Sequence, residues 1–461
     1  MSAFDTSVRL VYLLAAVCFA LGLHLLNSPL TARRGNALSA AGMIVALGAT
    51  VAVLVHGGSV RAGAWIAAAA GAVVGGAAGL RAARRVAMTA MPQLVSLFNA
   101  AGGAAAALVG VHDFARSGNA SAATALDVAI GSVTFSGSLI ASGKLQGLVP
   151  GRPVVFPGAR SVNAALGAAM PVAGGLLVSG RGGTPLMVLL GLAALAFGVT
   201  MVMPIGGADM PVVISLLNAC TGTAVAMAGF VIDSTVLIIA GALVGASGAI
   251  LTKLMADAMN RSVGAIVVGG FGTGDGPAEA PAGGQVRSLS ADDAAIQLAY
   301  AARVVVVPGY GLAAAQAQHQ LRELCELLER GGVEVCYAVH PVAGRMPGHM
   351  NVLLAEVDVP YDQLKEMEEA NPEFPRTDVA LVVGANDVTN PAARRPGNAI
   401  SGMPILDVDR AKNVIVIKRS MGHGYAGIDN ELYTAPSTGM YFGDAKKALS
   451  EITAAVKVLV R

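Results

Sequence analysis

The chain holds 461 residues, of which 54% are hydrophobic and only 13% charged, with a mean hydropathy of +0.64. Its formal net charge of +2 averages two unlike parts: residues 1–261 carry 14 Lys/Arg against 6 Asp/Glu, and residues 262–461 carry 17 against 23. That division excludes a wholly soluble protein, the four cysteines form no CxxC pair and so exclude a disulfide framework or a cysteine metal site, and no nucleic-acid partner is expected.

In chain order, apolar stretches able to cross a hydrocarbon core of roughly 30 Å fall near 8–27, 36–56, 60–80, 87–111, 122–142, 161–179, 184–203, 209–231 and 233–256. They predict a polytopic α-helical membrane domain of about nine spans over residues 1–261, with Gly, Ala and Ser allowing close helix packing. LAAVC, ending at Cys18, loosely matches a lipoprotein cleavage site, but Val17 suits it poorly and only Arg9 is basic upstream, so a first span is the reading. An odd number of spans puts the termini on opposite sides. The loops sharing a side with the C-terminal part carry Arg33, Arg34, Arg81, Arg84, Arg85, Lys144, Arg152 and Arg160, against Arg61, Arg116 and Arg181 opposite. By the positive-inside rule the C-terminal part is cytoplasmic.

An internal repeat runs through the spans. MPQLVSLFNAAGG at 91–103 answers MPVVISLLNACTG at 210–222, and SGSLIASGKL at 136–145 answers GASGAILTKL at 245–254, pairing Ser138 with Ser247 and Lys144 with Lys253. The copies lie four spans apart and so point the same way, a common transporter construction with functional groups near the repeat interface.

Residues 262–290 read as a flexible linker; GGFGTGDGPAEAPAGGQ at 269–285 is rich in Gly, Pro and Ala, and its glycine spacing completes no nucleotide-binding turn, so it reads as a hinge. Residues 291–461 then alternate helix and strand: helices from about 291, at 312–330, 349–356, 361–370 and 444–460, strands at 303–307, 333–339, 379–383, 404–407 and 413–417. The pattern predicts a Rossmann-like, doubly wound, mostly parallel sheet.

Within it, RVVVVPGYGLAAAQAQHQL at 303–321 places Gly309, Gly311 and Ala314 between a strand and a helix, the order of a dinucleotide-binding turn. Gly311 would let the backbone approach a pyrophosphate. The acid that normally binds an adenosine ribose at the end of the second strand is missing; His340 and Pro341 stand there. Lys418, Arg419 and Ser420 end a later strand and suit a ribose 2′-phosphate, favouring NADP(H) over NAD(H), although a basic pair at a strand end is otherwise ordinary surface. HPVAGRMPGHMN (340–351), GANDVTNP (384–391), ISGMP (400–404) and KRSMGHGYAG (418–427) supply further Gly-rich loops at strand ends.

Taken in order, VPGYGLAAAQAQH, HPVAGRMPGHMNVLLAE, GANDVTNPAA and KRS…GYAG resemble the β subunit of the bacterial proton-translocating NAD(P) transhydrogenases, over both the membrane part and the NADP(H)-binding domain. The resemblance implies that NADP(H) lies across these loops in reversed orientation, lined by Tyr310; by Val342, Ala343, Gly344, Arg345, Met346 and Pro347; by Gly384, Ala385, Asn386, Asp387 and Val388; by Gly402 and Met403; by Lys418, Arg419, Ser420, Met421, Gly422, His423, Gly424 and Tyr425; and by Asp444 and Ala445. Lys418 to Ser420 would take the 2′-phosphate and Arg345 the pyrophosphate. Asp387 would sense the redox state of the nicotinamide and not act as acid or base; its plainer role is to cap a turn. The resemblance further implies Si-type (re/si) hydride transfer, an NAD(H)-binding α partner of one or more chains with additional membrane helices, a dimer of that heteromeric unit, and the inner membrane of a bacterium.

Hydride transfer between two nicotinamides asks no acid, base or metal of the protein. Proton movement does need polar groups within the spans, and Asn99, Ser138, Asp209 and Asn218 are the candidates. The family often has histidine where Asn99 stands, so the titrating histidine is expected from a partner helix. His24, His56 and His112 sit toward span ends, and Asp127 is expected to reach the interface. The alternative reading is a secondary transporter or channel regulated by a cytoplasmic dinucleotide-sensing domain.

Overall fold

The computed structural model describes residues 3–26, 29–58, 60–87, 90–150, 154, 157–206, 210–258, 262–264, 286–345, 348–398, 400–424 and 426–460. Among the described residues, nine helices are long and apolar enough to span a membrane. They are α1 (Ala3–Leu25), α2 (Pro29–Gly57), α3 (Ala62–Arg85), α4 (Met91–Ser117), α5 (Ala122–Gln146), α6 (Ala159–Val178), α7 (Gly183–Val202), α8 (Met210–Val231) and α9 (Thr235–Ala258). The hinge expected at 269–285 lies outside the described residues. The chain divides into two compact units, one built on the membrane helices and one on the C-terminal α/β domain.

In the membrane unit, α5 and α8 are the most enclosed spans, whereas α3 buries none of its residues. Small residues set the spacing. A Cβ on Gly103 of α4 would stand 2.8 Å from the Gly131 carbonyl of α5, so the two backbones touch, and side chains of ordinary size would force them apart. The repeat is visible in the structure: Ser96 donates to the Ser138 carbonyl at 2.8 Å and Ser215 donates to the Gly248 carbonyl at 3.3 Å, one residue from the Ser247 counterpart.

The C-terminal unit is a six-stranded sheet of β1 (Arg303–Pro308), β2 (Glu334–Val339), β3 (Leu364–Glu366), β4 (Val379–Val383), β5 (Asn413–Lys418) and β6 (Thr438–Phe442). All neighbours are parallel, in the order β3-β2-β1-β4-β5-β6. The helices Gln318–Arg330 and Ala445–Leu459, with Ala291–Ala299, cover one face through Leu298, Leu321, Leu328 and Ile452. Phe374, Leu406, Leu432 and Tyr433 cover the other. Strand order reverses between β1 and β4, the switch point outside whose strand C-termini open α/β sheets commonly bind ligands.

Four expectations need correction. The helix at 312–330 is broken, because Gln316 adopts φ 50 between Tyr310–Ala314 and Gln318–Arg330. Residues 361–370 are not one helix but a turn, then β3, then the short helix Met367–Ala370. The segment 404–407 is not a strand; Leu406 is buried in the core but its N–H bonds to the Val388 carbonyl, outside the sheet. The sheet takes β6 instead, whose outer side is met by the end of the expected linker: Met440 N–H donates to the Arg287 carbonyl at 2.7 Å and Leu289 N–H to the Met440 carbonyl at 2.8 Å.

Candidate nucleotide site and membrane polar groups

The turn after β1 meets the turn after β4. Gly309 N–H donates to the Val383 carbonyl at 2.9 Å and Gly311 N–H to the Gly384 carbonyl at 3.0 Å. A Cβ on Gly311 would stand 2.6 Å from Gly384 Cα, and Gly384 itself has φ +69, where an L side chain is strained. These glycines therefore serve to lock two backbones together. The space expected to admit a pyrophosphate beside Gly311 is filled by Gly384.

Around this junction the strand-end loops converge. Behind β2, the Arg345 guanidinium lies 4.3 Å from the Tyr310 ring centroid, a cation–π contact, and Arg345 N–H donates to His349 Nδ1 at 3.0 Å. Gly344, at φ +108, packs its Cα directly against the His349 ring. Val342 is half-buried and Ala343 is core. Met346 and Pro347 lie outside the described residues. His340 is buried, accepting from Val342 N–H at 3.3 Å through Nδ1 and facing the Pro404 carbonyl at 2.9 Å through Nε2; burial pushes its pKa down to about 4. It ties β2 to the 400–405 loop and is occupied in doing so.

Between β4 and β5 lies a polar cluster. Asp387 accepts from Ala426 N–H at 3.0 Å and sits against the Gly424 backbone. With the Asn386 amide oriented to donate to the Tyr433 hydroxyl at 2.9 Å, its oxygen accepts from Gly424 N–H at 2.6 Å and from Lys418 Nζ at 3.2 Å. Tyr433 hydroxyl donates to the Ala385 carbonyl at 3.2 Å, and Asn430 donates to the Asn386 carbonyl at 2.9 Å. The Lys418 ammonium stands 4.5 Å from the Tyr433 ring centroid; burial lowers its pKa, opposed by Asp387 and Asp429. Arg419, Ser420, Met421, Gly422 and His423 are exposed, with His423 3.0 Å from Asp429. Tyr425 lies outside the described residues.

The remaining nucleotide candidates sit at the margins. Met403 packs with Ala393 and Ile405, and Gly402 N–H donates to the Ala393 carbonyl at 2.8 Å. Val388 is half-buried against the core under β4. Asp444 caps the last helix by accepting from Lys446 N–H, and Ala445 is core; β6 runs beside β5 with Phe442 level with Lys418, which brings this cap next to the basic loop. His349, Asn430 and Tyr433 hold these loops and were not singled out in the sequence. Their signal was faint, since nothing in residue type or spacing distinguishes them from ordinary loop and core residues.

In the membrane unit, Asn99 is buried and its Nδ2 faces the Ile214 carbonyl at 3.5 Å, while Thr221 approaches the Asn99 carbonyl at 3.5 Å. Asn218 is half-buried. Ser138 is fully buried, and its hydroxyl has no partner among the described residues. Asp209 lies outside them. Repeat symmetry is broken at the lysines: Lys144 is buried and donates to the Met203 carbonyl, whereas Lys253 is exposed and pairs with Asp257 at 3.3 Å. Asp127, in the second turn of α5, lies near a span end but is enclosed by protein. It is 0% exposed, because Gly110 has no side chain and lets α4 close over it. His24 and His56 do lie in the last turns of α1 and α2.

Comparison with known proteins covers nearly the whole chain. The family described as NAD(P) transhydrogenase beta subunit matches residues 8–455. The NAD(P) transhydrogenase subunit beta of Rhodospirillum rubrum, and the same-named protein from a particular strain of that species, are each 49% identical over 461 residues, covering 96% of this chain and 98% of theirs.

Proposed function

Since the chain belongs to the NAD(P) transhydrogenase beta subunit family, the membrane-spanning subunits of a proton-translocating enzyme, we propose that its α/β domain binds NADP(H) and that proton movement through its helices drives that cofactor's reduction by NADH. The observation that carries the nucleotide assignment is the pair Lys418 and Arg419 at the end of β5, the strand beside β4 and its glycine-locked switch point, with a second cation, Arg345, in the loop after β2.

The residues suit NADP(H). A cationic pair beside the Ser420 hydroxyl matches a 2′-phosphate, and no carboxylate ends β2 to hold a bare ribose, since His340 is buried there. A Cβ at Gly422 would meet only the Ser420 hydroxyl, at 3.5 Å, so the loop has room for a phosphate beside its backbone. Lys418, Arg419 and Ser420 would hold the 2′-phosphate, Arg345 stacked on Tyr310 the pyrophosphate, and the loops at 342–347, 384–388, 402–403, 421–425 and 444–445 the remainder. The cofactor supplies a nicotinamide that carries hydride. Asp387, bound to Ala426 N–H, is placed to convey a change beside it to the loop at 418–427.

The NAD(H) site belongs to an α partner of one or more chains that adds membrane helices, in a dimer of the heteromeric unit, and hydride passes with re/si stereochemistry. The α/β domain faces the cytoplasm of a bacterium, on the side marked by the basic loops. Asn99, Asn218, Ser138 and Asp209 belong to the proton route, beside a titrating histidine from the partner. Protonation there would shift the domain between hydride exchange and nucleotide release. Family membership favours this over a transporter with a regulatory nucleotide sensor, which has no use for a 2′-phosphate grip. The test is reconstitution with an NAD-binding α partner in vesicles: an imposed proton gradient should accelerate NADPH formation from NADH, whereas hydride transfer indifferent to the gradient would contradict the coupling.

A further inference from the structure

We infer that Asp127 is a proton-binding station, set in a polar seam between α4 and α5. The inference rests on the reading of this subunit as proton-conducting and adds to it a site in the half of the membrane unit remote from Lys144.

The seam is built at regular intervals. Ser142 donates to the Gln93 carbonyl at 3.4 Å, Ser96 donates to the Ser138 carbonyl, Gly103 touches Gly131, and Gly110 touches Asp127, whose Oδ2 would stand 3.1 Å from a Cβ on that glycine. On α5 the positions 124, 127, 131, 134, 138 and 142 are spaced by three or four residues and so form one stripe. Most hydroxyls along it are satisfied, as where Thr134 donates to the Ile130 carbonyl at 2.8 Å. Asp127 is not: it is 0% exposed, and neither carboxylate oxygen has a hydrogen-bond partner among the described residues. An ionised carboxylate held there would lose its hydration with only the Gly110 backbone beside it in return, a cost of several kcal/mol. The group therefore carries a proton at rest and releases it only when water or a base reaches it.

Among the described residues no cationic side chain pairs with it. The adjacent turn of α5 lies in an apolar cluster of Val128, Phe114, Leu177 and Leu190. Asp113, His112 and Arg116 are the titratable groups at this end of α4, and Asp113 is engaged by Thr124, whose hydroxyl donates at 3.0 Å. α6 carries only Arg160, in its first turn at the other end; α7 carries none, and Arg181 between them is exposed.

The repeat supplies an internal control. α8 and α9 keep the same seam, with Ser215 bound to the Gly248 carbonyl, Gly222 against Gly245, and Gly229 against Leu237 and Ile238. Where α5 has its carboxylate, the second copy is apolar. Packing of the seam therefore does not require an acid.

Polar groups lead from its neighbourhood toward the surface on one side. Ser121, exposed at the α4–α5 turn, lies 2.8 Å from the Thr124 hydroxyl, which bonds Asp113, and Asp113 with His112 and Arg116 lines an open cleft. Thr124 is one turn from Asp127 on the same face. In the other direction the unpartnered Ser138 hydroxyl is roughly 16 Å along the helix axis, beside Ser96 and one turn from Asn99.

The test uses the complex of the full chain with its α partner in vesicles, with a pH-sensitive dye inside. Among variants that assemble and bind NADPH, Asp127→Asn should lose about tenfold or more of its proton uptake, and Asp127→Glu should recover most of it with a displaced pH profile. Uptake by Asp127→Asn within about twofold of the native complex would overturn the station. Should Asp127→Asn fail to assemble, infrared spectra of the native complex and Asp127→Glu decide: a protonated-carboxyl carbonyl band that moves in the variant supports the inference, and its absence overturns it. Failure of the native complex to pump would instead remove the functional reading beneath.

Discussion

Lys418 bears the nucleotide reading because its ammonium is already half-desolvated between Asn386 and Tyr433, where a phosphate would meet little competing water. Lys418→Ala should weaken NADPH binding about 10- to 100-fold, the range for losing a charge-assisted hydrogen bond, and leave any NADH binding nearly unchanged; calorimetric titration of both nucleotides checks it. His340 makes a separate prediction. Its folded pKa of about 4 lies below the ordinary 6.5 because the ring is buried. The unfolded chain thus takes up a proton on acidification before the folded one does. Stability from this group is complete above about 6.5 and is lost as pH falls toward 4, by up to about 3 kcal/mol. Melting of the C-terminal domain should move down across that window, and His340→Asn should flatten the dependence. At this scale the sequence revealed charge and chemistry but not contact. KRS and GAND were legible as polar loops at strand ends. That Asn386 joins them, that His349 supports Arg345, and that Asp127 is enclosed depended on backbone approaches that spacing does not encode.

Among the elements, strongly periodic ones were legible and weakly patterned ones were not. The spans, the valine-rich β1 and β4 and the amphipathic last helix are long or uniformly apolar. β3 has three residues with a charged pair, and β6 is interrupted by Gly439, which lies beneath Leu289. Residues 404–407 show the opposite error: the run is apolar because it lines the core, yet its backbone bonds outside the sheet. The glycine turn was recognised by its spacing, but its partner was not, since Gly309 and Gly311 meet a loop more than 70 positions away. Gly311→Ala must separate that loop from Gly384, and Gly384→Ala adds strain at φ +69. Each should cost roughly 2–4 kcal/mol and abolish NADPH binding, whereas Gly332→Ala, at an equally positive φ of 87 but in open space, should lower stability and spare binding. Thermal melts with and without NADPH separate the two.

Across the whole molecule, one chain joins a low-charge helical unit to an acidic α/β domain through a Gly- and Pro-rich stretch. Residues 269–285 are long for a connection that only had to join two bodies. Shortening them should uncouple proton flow from hydride transfer while leaving NADPH affinity intact; unchanged coupling would argue against large domain movement. The two-part architecture and the family resemblance were readable from composition and ordered motifs. The polar seam was not, because its meaning depends on which small residues of α4 lie against which polar residues of α5.

The proposed function rests most directly on a site that prefers the 2′-phosphorylated nucleotide. The most direct test is to titrate the purified full chain with NADPH and with NADH in parallel, following heat. Tight binding of NADPH with NADH weaker by two orders of magnitude or more, about 3 kcal/mol, is the predicted result. Equal affinity for the two, or binding of neither, would contradict the assignment of Lys418, Arg419 and Ser420 and the account built on it.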